Sequence, residues 1–253
     1  MELTFATWNI GGGKPSKDKN SYNQKEEDFL EEDPAYFASQ LKEINPDIIC
    51  LQETHIGPDK SLAREIGELI GEYHLVEEAT SPSHIDSRYR LGIATLSKIK
   101  WEKEEFNYFP YPDFPLARRD GRPTVRHDKG VYVTKFAFGM VANLHMQPLA
   151  FLGVPYDTPE GQGYAKQLEE ELEKHISNPV VICGDFNYGK SEELYSNLIS
   201  KLSLKEVLPK VSTRPDKNRK SDYIFVSPEF SLIDSGVVET NSDHYLCWAK
   251  LKV

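Results

Sequence analysis

Short apolar runs alternate along the chain with polar, turn-forming stretches, and several of the runs deliver a residue capable of chemistry at one end. Leu3 to Ile10 alternates with period two and stops at Gly11-Gly12-Gly13, which predicts a strand with Asn9 at its mouth. Residues 14–32 are polar and charged and read as an insertion with little core value. Asp33-Pro34 is a helix start, Phe37, Leu41 and Ile44 recur at helical spacing, and Asn45-Pro46 ends the helix. Asp47-Ile48-Ile49-Cys50-Leu51-Gln52-Glu53 then reads as a buried strand that ends in an acid. Leu62, Ile66, Leu69 and Ile70 mark the apolar face of a helix over 61–70, and strands are expected at 73–77, 91–97 and 100–109. Pro110 to Pro123 is a proline-rich basic loop. Tyr108-Phe109-Pro110-Tyr111, beside it, is read as core.

The second half repeats this logic. Val131 to Phe136 and Met140 to His145 read as neighbouring strands joined at Gly139, the second ending in His145. Gln147 to Gly163 predicts a loop, and 164–176 a charged helix with Leu168, Leu172 and Ile176 on one face. Pro179-Val180-Val181-Ile182-Cys183-Gly184-Asp185-Phe186-Asn187 is the organising stretch: a β-branched run buried on both faces, a glycine that lets the backbone turn, then a carboxylate and a carboxamide. Ser191 is expected to cap a helix reaching Leu202, followed by a basic loop over 209–220. Strands follow at Asp222 to Val226, Phe230 to Val238 and Tyr245 to Val253, with the polar knot Asn241-Ser242-Asp243-His244 before the last. No repeat, linker or low-complexity segment divides the chain, so the expectation is one mixed α/β domain over residues 1–253.

Composition narrows the function classes. Hydrophobic residues make up 39%, enough for a core, yet no segment approaches the roughly 20 apolar residues that span a bilayer. Met1-Glu2-Leu3-Thr4-Phe5 lacks the basic start of a signal peptide, and the expected location is cytoplasmic. Cys50, Cys183 and Cys247 each sit in an apolar run without Cys-x-x-Cys spacing, which argues for buried thiols rather than disulfides or zinc. A net charge of −10 disfavours bulk coating of nucleic acid. Two basic loops still offer local contacts to an anion: Arg118, Arg119, Arg122, Arg126 and Lys129, then Lys210, Arg214, Lys217, Arg219 and Lys220. Gly13-Lys14 is not a phosphate loop, because Pro15 stands where Ser or Thr is required.

The residues at strand ends form an inventory: Asn9, Glu53, His145, Asp185, Asn187, Asp222, Asp243 and His244. Each alone is an ordinary polar strand end; together they supply the parts of a phosphoester-cleaving centre. Carboxylate oxygens suit a hard cation such as Mg²⁺, which leaves positions for phosphate and water. Held by Glu53, such a cation would neutralise a phosphate oxygen and charge on the leaving oxygen, while Asp185 accepts a proton from water. His244 needs a carboxylate to set its tautomer, and Asp222 or Asp243 is available. A charged His145 or His244, with the amides of Asn9 and Asn187, would donate to phosphate oxygens. His74, His84, His127 and His175 read as surface residues, and His55 has no assigned part.

Six short motifs occur in order: Thr7-Trp8-Asn9-Ile10, Leu51-Gln52-Glu53, Asn143-Leu144-His145, Gly184-Asp185-Phe186-Asn187, Ser221-Asp222-Tyr223-Ile224-Phe225 and Ser242-Asp243-His244. Their order resembles the endonuclease/exonuclease/phosphatase superfamily, from residue 7 to the end of the chain. The resemblance implies a four-layer sandwich, two packed mixed β-sheets flanked by helices, and Mg²⁺-dependent phosphoester hydrolysis, with Mn²⁺ as the second candidate. By the same resemblance Glu53 is the principal metal ligand, with Asn9 close by and Asp243 as a further acid on the metal side. Asp185 and Asn187 position water and phosphate, His244 is the catalytic histidine oriented by Asp222, and His145 is a second phosphate-facing histidine. The acid that apurinic endonucleases carry two residues after the asparagine is missing here, and similarity to tyrosyl-DNA phosphodiesterases is partial. The expected partner is a phosphoester substrate, nucleic acid among the candidates, and the expected state a monomer. A binding module that had abandoned catalysis would be expected to lack one or more of these eight positions, and all are present.

Overall fold

The computed structural model describes residues 1–17, 30–118, 126–215 and 219–253. Most of the 14–32 stretch, together with Arg119, Arg122 and Lys217, lies outside the described residues. Two mixed sheets carry the fold. The first has the order β12 (Ser231–Val238), β13 (Leu246–Lys252), β1 (Glu2–Asn9), β2 (Ile48–Gly57), β5 (Arg90–Ser97), β4 (His74–Pro82), with the short β3 (Lys60–Ser61) on β2. The second has the order β10 (Lys205–Glu206), β11 (Asp222–Val226), β9 (Val180–Asp185), β8 (Gly139–His145), β7 (Gly130–Phe136), β6 (Lys103–Tyr108). β1 and β2 run parallel, as do β8 and β9, and the other neighbours within each sheet are antiparallel.

Three buried clusters match the three interfaces of a four-layer sandwich. Leu3, Phe5, Ile48 and Cys50 meet Val141, Val181, Cys183 and Ile224 between the sheets. Trp8, Ile49 and Leu51 pack outward against Phe37 and Leu41 of α1 (Pro34–Ile44) and Ile66 of α2 (Leu62–Ile70). Val180 and Ile182 pack outward on the other side, with Leu168 and Leu172 of α3 (Pro159–His175) and Leu198 of α5 (Ser196–Leu202). Strand alternation therefore sorts every second residue to the space between the sheets.

Several boundaries differ from expectation, each for a local reason. α3 begins at Pro159, five residues before the expected start; Thr158 caps it by accepting from the Gly161 N–H, and Gly161 and Gly163 had masked the helix. The expected 191–202 helix is broken at Tyr195 into α4 (Ser191–Leu194) and α5, and the Ser191 hydroxyl donates to the Tyr188 carbonyl instead of capping. On α2 the buried face is Leu62, Ala63, Ile66 and Gly67, and Leu69 is exposed. Of the aromatic group at 108–111, Phe109 is core, but Tyr108 is exposed and donates to Glu78.

A buried polar contact crosses the apolar space between the sheets. Gln52 Nε2 of β2 donates to Asn143 Oδ1 of β8 at 2.8 Å, and Asn143 Nδ2 donates back to the Ala94 carbonyl of β5 at 2.8 Å. Both amides are fully buried. Replacing Asn143 takes a donor from the Ala94 carbonyl and an acceptor from Gln52 Nε2, which keeps the Cys50 carbonyl and the Thr7 hydroxyl at 3.1 and 3.2 Å. Asn143→Leu should therefore lower the urea midpoint by the equivalent of about 1–3 kcal/mol, the cost of a buried polar group left unmade, and adding Gln52→Met should recover part of that loss. Additive losses in the double variant would show that the two amides are not coupled.

Candidate active site

Alternation explains how most of the site is assembled. Asn9 shares its side of β1 with Leu3 and Phe5, Asp185 its side of β9 with Val181 and Cys183, His145 its side of β8 with Val141, and Asp222 its side of β11 with Ile224. All four thus face the space between the sheets at one end of it. Glu53 is the exception. It was expected at a strand end, but β2 continues to Gly57, and strict alternation would send Glu53 outward with Ile49 and Leu51. A bulge opposite β5 between Gln52 and Thr54, with Glu53 at φ +55°, turns it inward instead.

Asp185 Oδ2 is the point on which these groups converge. Asn9 Nδ2 lies 3.1 Å away, Asn187 Nδ2 3.2 Å, His244 Nε2 3.5 Å and His145 Nε2 3.6 Å. Asn187 also donates its backbone N–H to Asp185 Oδ1 at 2.8 Å, and it holds a left-handed backbone at φ +53°. Glu53 Oε1 lies 3.7 Å from the same His145 Nε2. His244 Nδ1 sits 2.8 and 3.0 Å from the two oxygens of Asp222, whose Oδ2 also accepts from the Thr213 hydroxyl at 2.6 Å. Asp243 stands 4.0 Å from Nε2, so of the two acids considered for orienting His244 it is Asp222 that contacts Nδ1. Gly184 permits this packing: at φ +146°, any Cβ there would lie 1.9 Å from the Leu144 carbonyl oxygen.

Two buried cations were not recognised as part of the site. Lys129, counted with a basic loop, places Nζ 3.1 Å from both nitrogens of His145 and 3.6 Å from Glu53 Oε1. The pairing of Gly130 with His145 across the β7–β8 hairpin brings it there, a register that the turn near Gly139 could have revealed. Arg214 places Nη1 2.8 Å from His244 Nε2 and Nη2 3.7 Å from Asp243 Oδ2. It comes from the second basic loop, before β11, where its charge was legible in the sequence but its contact with His244 was not. Elsewhere in these loops Arg126 pairs with Asp128, and Lys220 with Glu206, so the loops offer less open positive charge than the sequence suggested.

The remaining histidines divide. His84 is exposed as expected, but its ring packs edge-on to that of the half-buried His127, 5.2 Å between centroids, and the pair lies close enough to Lys129 for its charge to be felt. Burial, then Lys129 and His84, push the His127 pKa down to about 4. His55 is fully buried, 3.0 Å from both Glu32 Oε2 and the Ser83 hydroxyl, and serves the packing under the glycine loop.

The electrostatics follow from burial and charge. For Glu53, burial opposes ionisation, but the Lys129 ammonium outweighs it and holds the carboxyl well below its ordinary range. Burial, reinforced by Lys129, lowers the His145 pKa well below its ordinary value, so of the two histidines considered for the charged donor His244 is the one favoured. Burial, with Asp222 nearby, raises Asp185. On His244, burial lowers the pKa and Arg214 lowers it further, yet Asp222, Asp185 and Asp243 prevail and lift it to about 9. The 2.8 Å contact from Arg214 belongs to the neutral ring, since a protonated Nε2 has no lone pair to accept it.

The donors fit a hard divalent cation. Glu53 is ionised and, with Asp243, is more exposed than the inner acids: their side chains are 14% and 15% accessible against 1% for Asp185. Gly11 leaves room for Asp243, whose Oδ1 lies 3.1 Å from where a Cβ would stand. Asp185, Asp222 and His244 also offer ligand atoms within 4.8 Å of one another. Asp222 is committed to His244 and Thr213, however, which makes that trio a histidine–acid relay before it is a metal nest.

A group whose folded pKa is raised stabilises the fold fully below its unfolded value and loses that contribution as pH climbs through the folded one. The His244–Asp222 pair should therefore stabilise the metal-free protein below pH 6.5 and fade toward pH 9. Relative to His244→Gln, wild-type unfolding free energy should fall by on the order of 3 kcal/mol across that window. Parallel stability curves for the two proteins would remove the shift.

The geometry has relatives. The family model described as "Endonuclease/Exonuclease/phosphatase family" matches residues 6–244. No curated protein matches the chain. Among solved structures, an endonuclease/exonuclease/phosphatase from Beutenbergia cavernae superposes with a TM-score of 0.70 at 15% identity, covering 100% of this chain and 72% of that one. A mannosyl-6-phosphatase from Bacteroides thetaiotaomicron gives 0.61 at 18% identity, with 99% and 100% covered. An AP endonuclease from Archaeoglobus fulgidus gives 0.63 at 19% identity, again with 99% and 100% covered. The fold thus hosts both monoester and DNA-cleaving enzymes, and the chain belongs to the endonuclease/exonuclease/phosphatase family of hydrolytic phosphoesterases.

Proposed function

We propose that the protein is a Mg²⁺-dependent phosphoester hydrolase in which Asp185 and the His244–Asp222 pair act on water and phosphate. The observation that carries this reading is the convergence of Asn9, Asn187, His145 and His244 on Asp185 Oδ2 within 3.1–3.6 Å. Glu53 is the principal metal ligand, with Asn9 and Asp243 beside it. The bound ion supplies Lewis-acid neutralisation of a phosphate oxygen and of charge developing on the leaving oxygen. Asp185, its pKa raised by burial, accepts a proton as water oxygen bonds to phosphorus. The P–O ester bond breaks, the leaving oxygen takes up a proton, and the products are an alcohol and a phosphate. His244, supported by Asp222, and the amides of Asn9 and Asn187 donate to non-bridging oxygens. Neutral His145 orients the phosphate through one ring N–H. A reducing, cytoplasmic setting fits the free, buried thiols of Cys50, Cys183 and Cys247. Among the described residues no helix is long and apolar enough to cross a membrane. The monomer reading stands beside these.

Two measurements test the proposal. Hydrolysis of a generic phosphoester should proceed with Mg²⁺ and stop with EDTA, and equal rates in both would end the metal assignment. His244→Ala should lower kcat by about 10²–10⁴-fold, the usual worth of a positioned proton-handling group. Wild-type turnover in that variant would take His244 out of the mechanism.

A further inference from the structure

Lys129 has no part in the chemistry described so far, yet the chain that carries it is firmly held. The carbonyls of His127, Asp128 and Lys129 accept in turn from Gln147 Nε2 at 2.6 Å, the Ser81 hydroxyl at 3.0 Å and the Phe109 N–H at 2.9 Å. Gly130, the next residue, pairs with His145 across the β7–β8 hairpin. The lysine side chain, only 7% accessible, places Nζ 3.1 Å from both ring nitrogens of His145 and 3.6 Å from Glu53 Oε1. Burying an ammonium is costly unless its hydrogens meet acceptors, so the partners of Lys129 constrain what His145 can be.

An ammonium only donates, so the His145 nitrogen that meets Lys129 must present a lone pair. An ionised carboxylate only accepts, so a nitrogen that faces one is best placed with a hydrogen. His145 Nε2 faces two such oxygens, Asp185 Oδ2 at 3.6 Å and Glu53 Oε1 at 3.7 Å. The hydrogen therefore belongs on Nε2 and the lone pair on Nδ1, where Lys129 donates to it. The opposite tautomer would turn a hydrogen on Nδ1 against an ammonium and a lone pair on Nε2 against two carboxylate oxygens. We infer that Lys129 is a positioning residue that fixes His145 in the tautomer with its hydrogen on Nε2. Resting on the phosphoester hydrolase reading above, that N–H is the one His145 offers to a phosphate oxygen, and Lys129 serves the substrate through the ring. The two histidines beside Asp185 are thus set by opposite partners. Asp222 calls for a hydrogen on His244 Nδ1, 2.8 Å away, whereas Lys129 calls for a lone pair on His145 Nδ1, so that neither ring has a free choice of tautomer.

The test reads the ring nitrogens of His145 by nitrogen-15 NMR in histidine-labelled, metal-free protein, with His145→Gln identifying the signals. Wild type should show Nε2 as a protonated nitrogen and Nδ1 as a bare one. Lys129→Met, which keeps the length of the side chain without a donor, should lose that asymmetry, whereas Lys129→Arg, still a donor, should keep it. With Mg²⁺ and p-nitrophenyl phosphate, Lys129→Met should lower kcat/KM about 10–10²-fold, as loss of a hydrogen bond to a charged group predicts, and Lys129→Arg should retain most of the wild-type value. A bare Nε2 in wild type, or hydrogens on both nitrogens, overturns the inference without any variant. Signals unchanged in Lys129→Met overturn the part given to Lys129. Where that variant does not fold, Lys129→Arg decides: the wild-type asymmetry supports the inference, and its loss overturns it. A displaced hydrogen with wild-type kcat/KM overturns the contact with phosphate. No turnover of any phosphoester by wild type with Mg²⁺, beside the expected spectra, overturns the hydrolase reading and leaves the tautomer standing.

Discussion

The hydrogen bond between Gln52 and Asn143 is the contact on which the rest of the structure depends. Apolar faces attract without direction and can slide past one another, whereas a hydrogen bond between two buried amides is made in one relative position of the sheets. Gln52 belongs to the strand that carries Glu53, and Asn143 lies two residues before His145. Fixing that one pair therefore brings the ends of β1 and β2 opposite those of β8, β9 and β11. Five site residues, Asn9, Glu53, His145, Asp185 and Asp222, come from these strands, and the loop before β13 supplies Asp243 and His244.

What gathers there is a dense, buried set of opposite charges. Asp185, Asp222 and His244 are nearly inaccessible, and Lys129 and Arg214 are buried beside the two histidines. Such a group persists because each acid faces a cation or an N–H donor.

Of the non-glycine residues with positive φ among those described, Asn45 and Ser203 close helices, and Glu53 and Asn187 lie in the site. Glu53 and Asn187 both hold positive φ without being glycine, a conformation that costs on the order of 1–3 kcal/mol at each. Glu53 gains an inward-facing carboxylate in mid-strand, and Asn187 gains an amide aimed back at Asp185. The surrounding sheets, paired along most of their length, hold these two residues in place.

Period-two alternation already placed Asn9, His145, Asp185 and Asp222 on one side of their strands in the linear sequence, because side-chain direction along a strand is a local property. The apolar runs likewise announced most of the strands, and capping at Asp33 and Ser61 is local chemistry. The start of α3 and the break at Tyr195 escaped, since packing there overrides helix-weakening glycines in one case and interrupts a continuous helical pattern in the other. The inward turn of Glu53 depends on a bulge that exists only through pairing with β5, and the positions of Lys129 and Arg214 depend on a hairpin register and on a loop latched to Asp222. The sequence by itself determined which residues each strand could present and on which face. Tertiary structure alone decided which of them meet, because distances between strands far apart in the chain are set by sheet pairing and by the amide bridge between the sheets, and no local pattern encodes them.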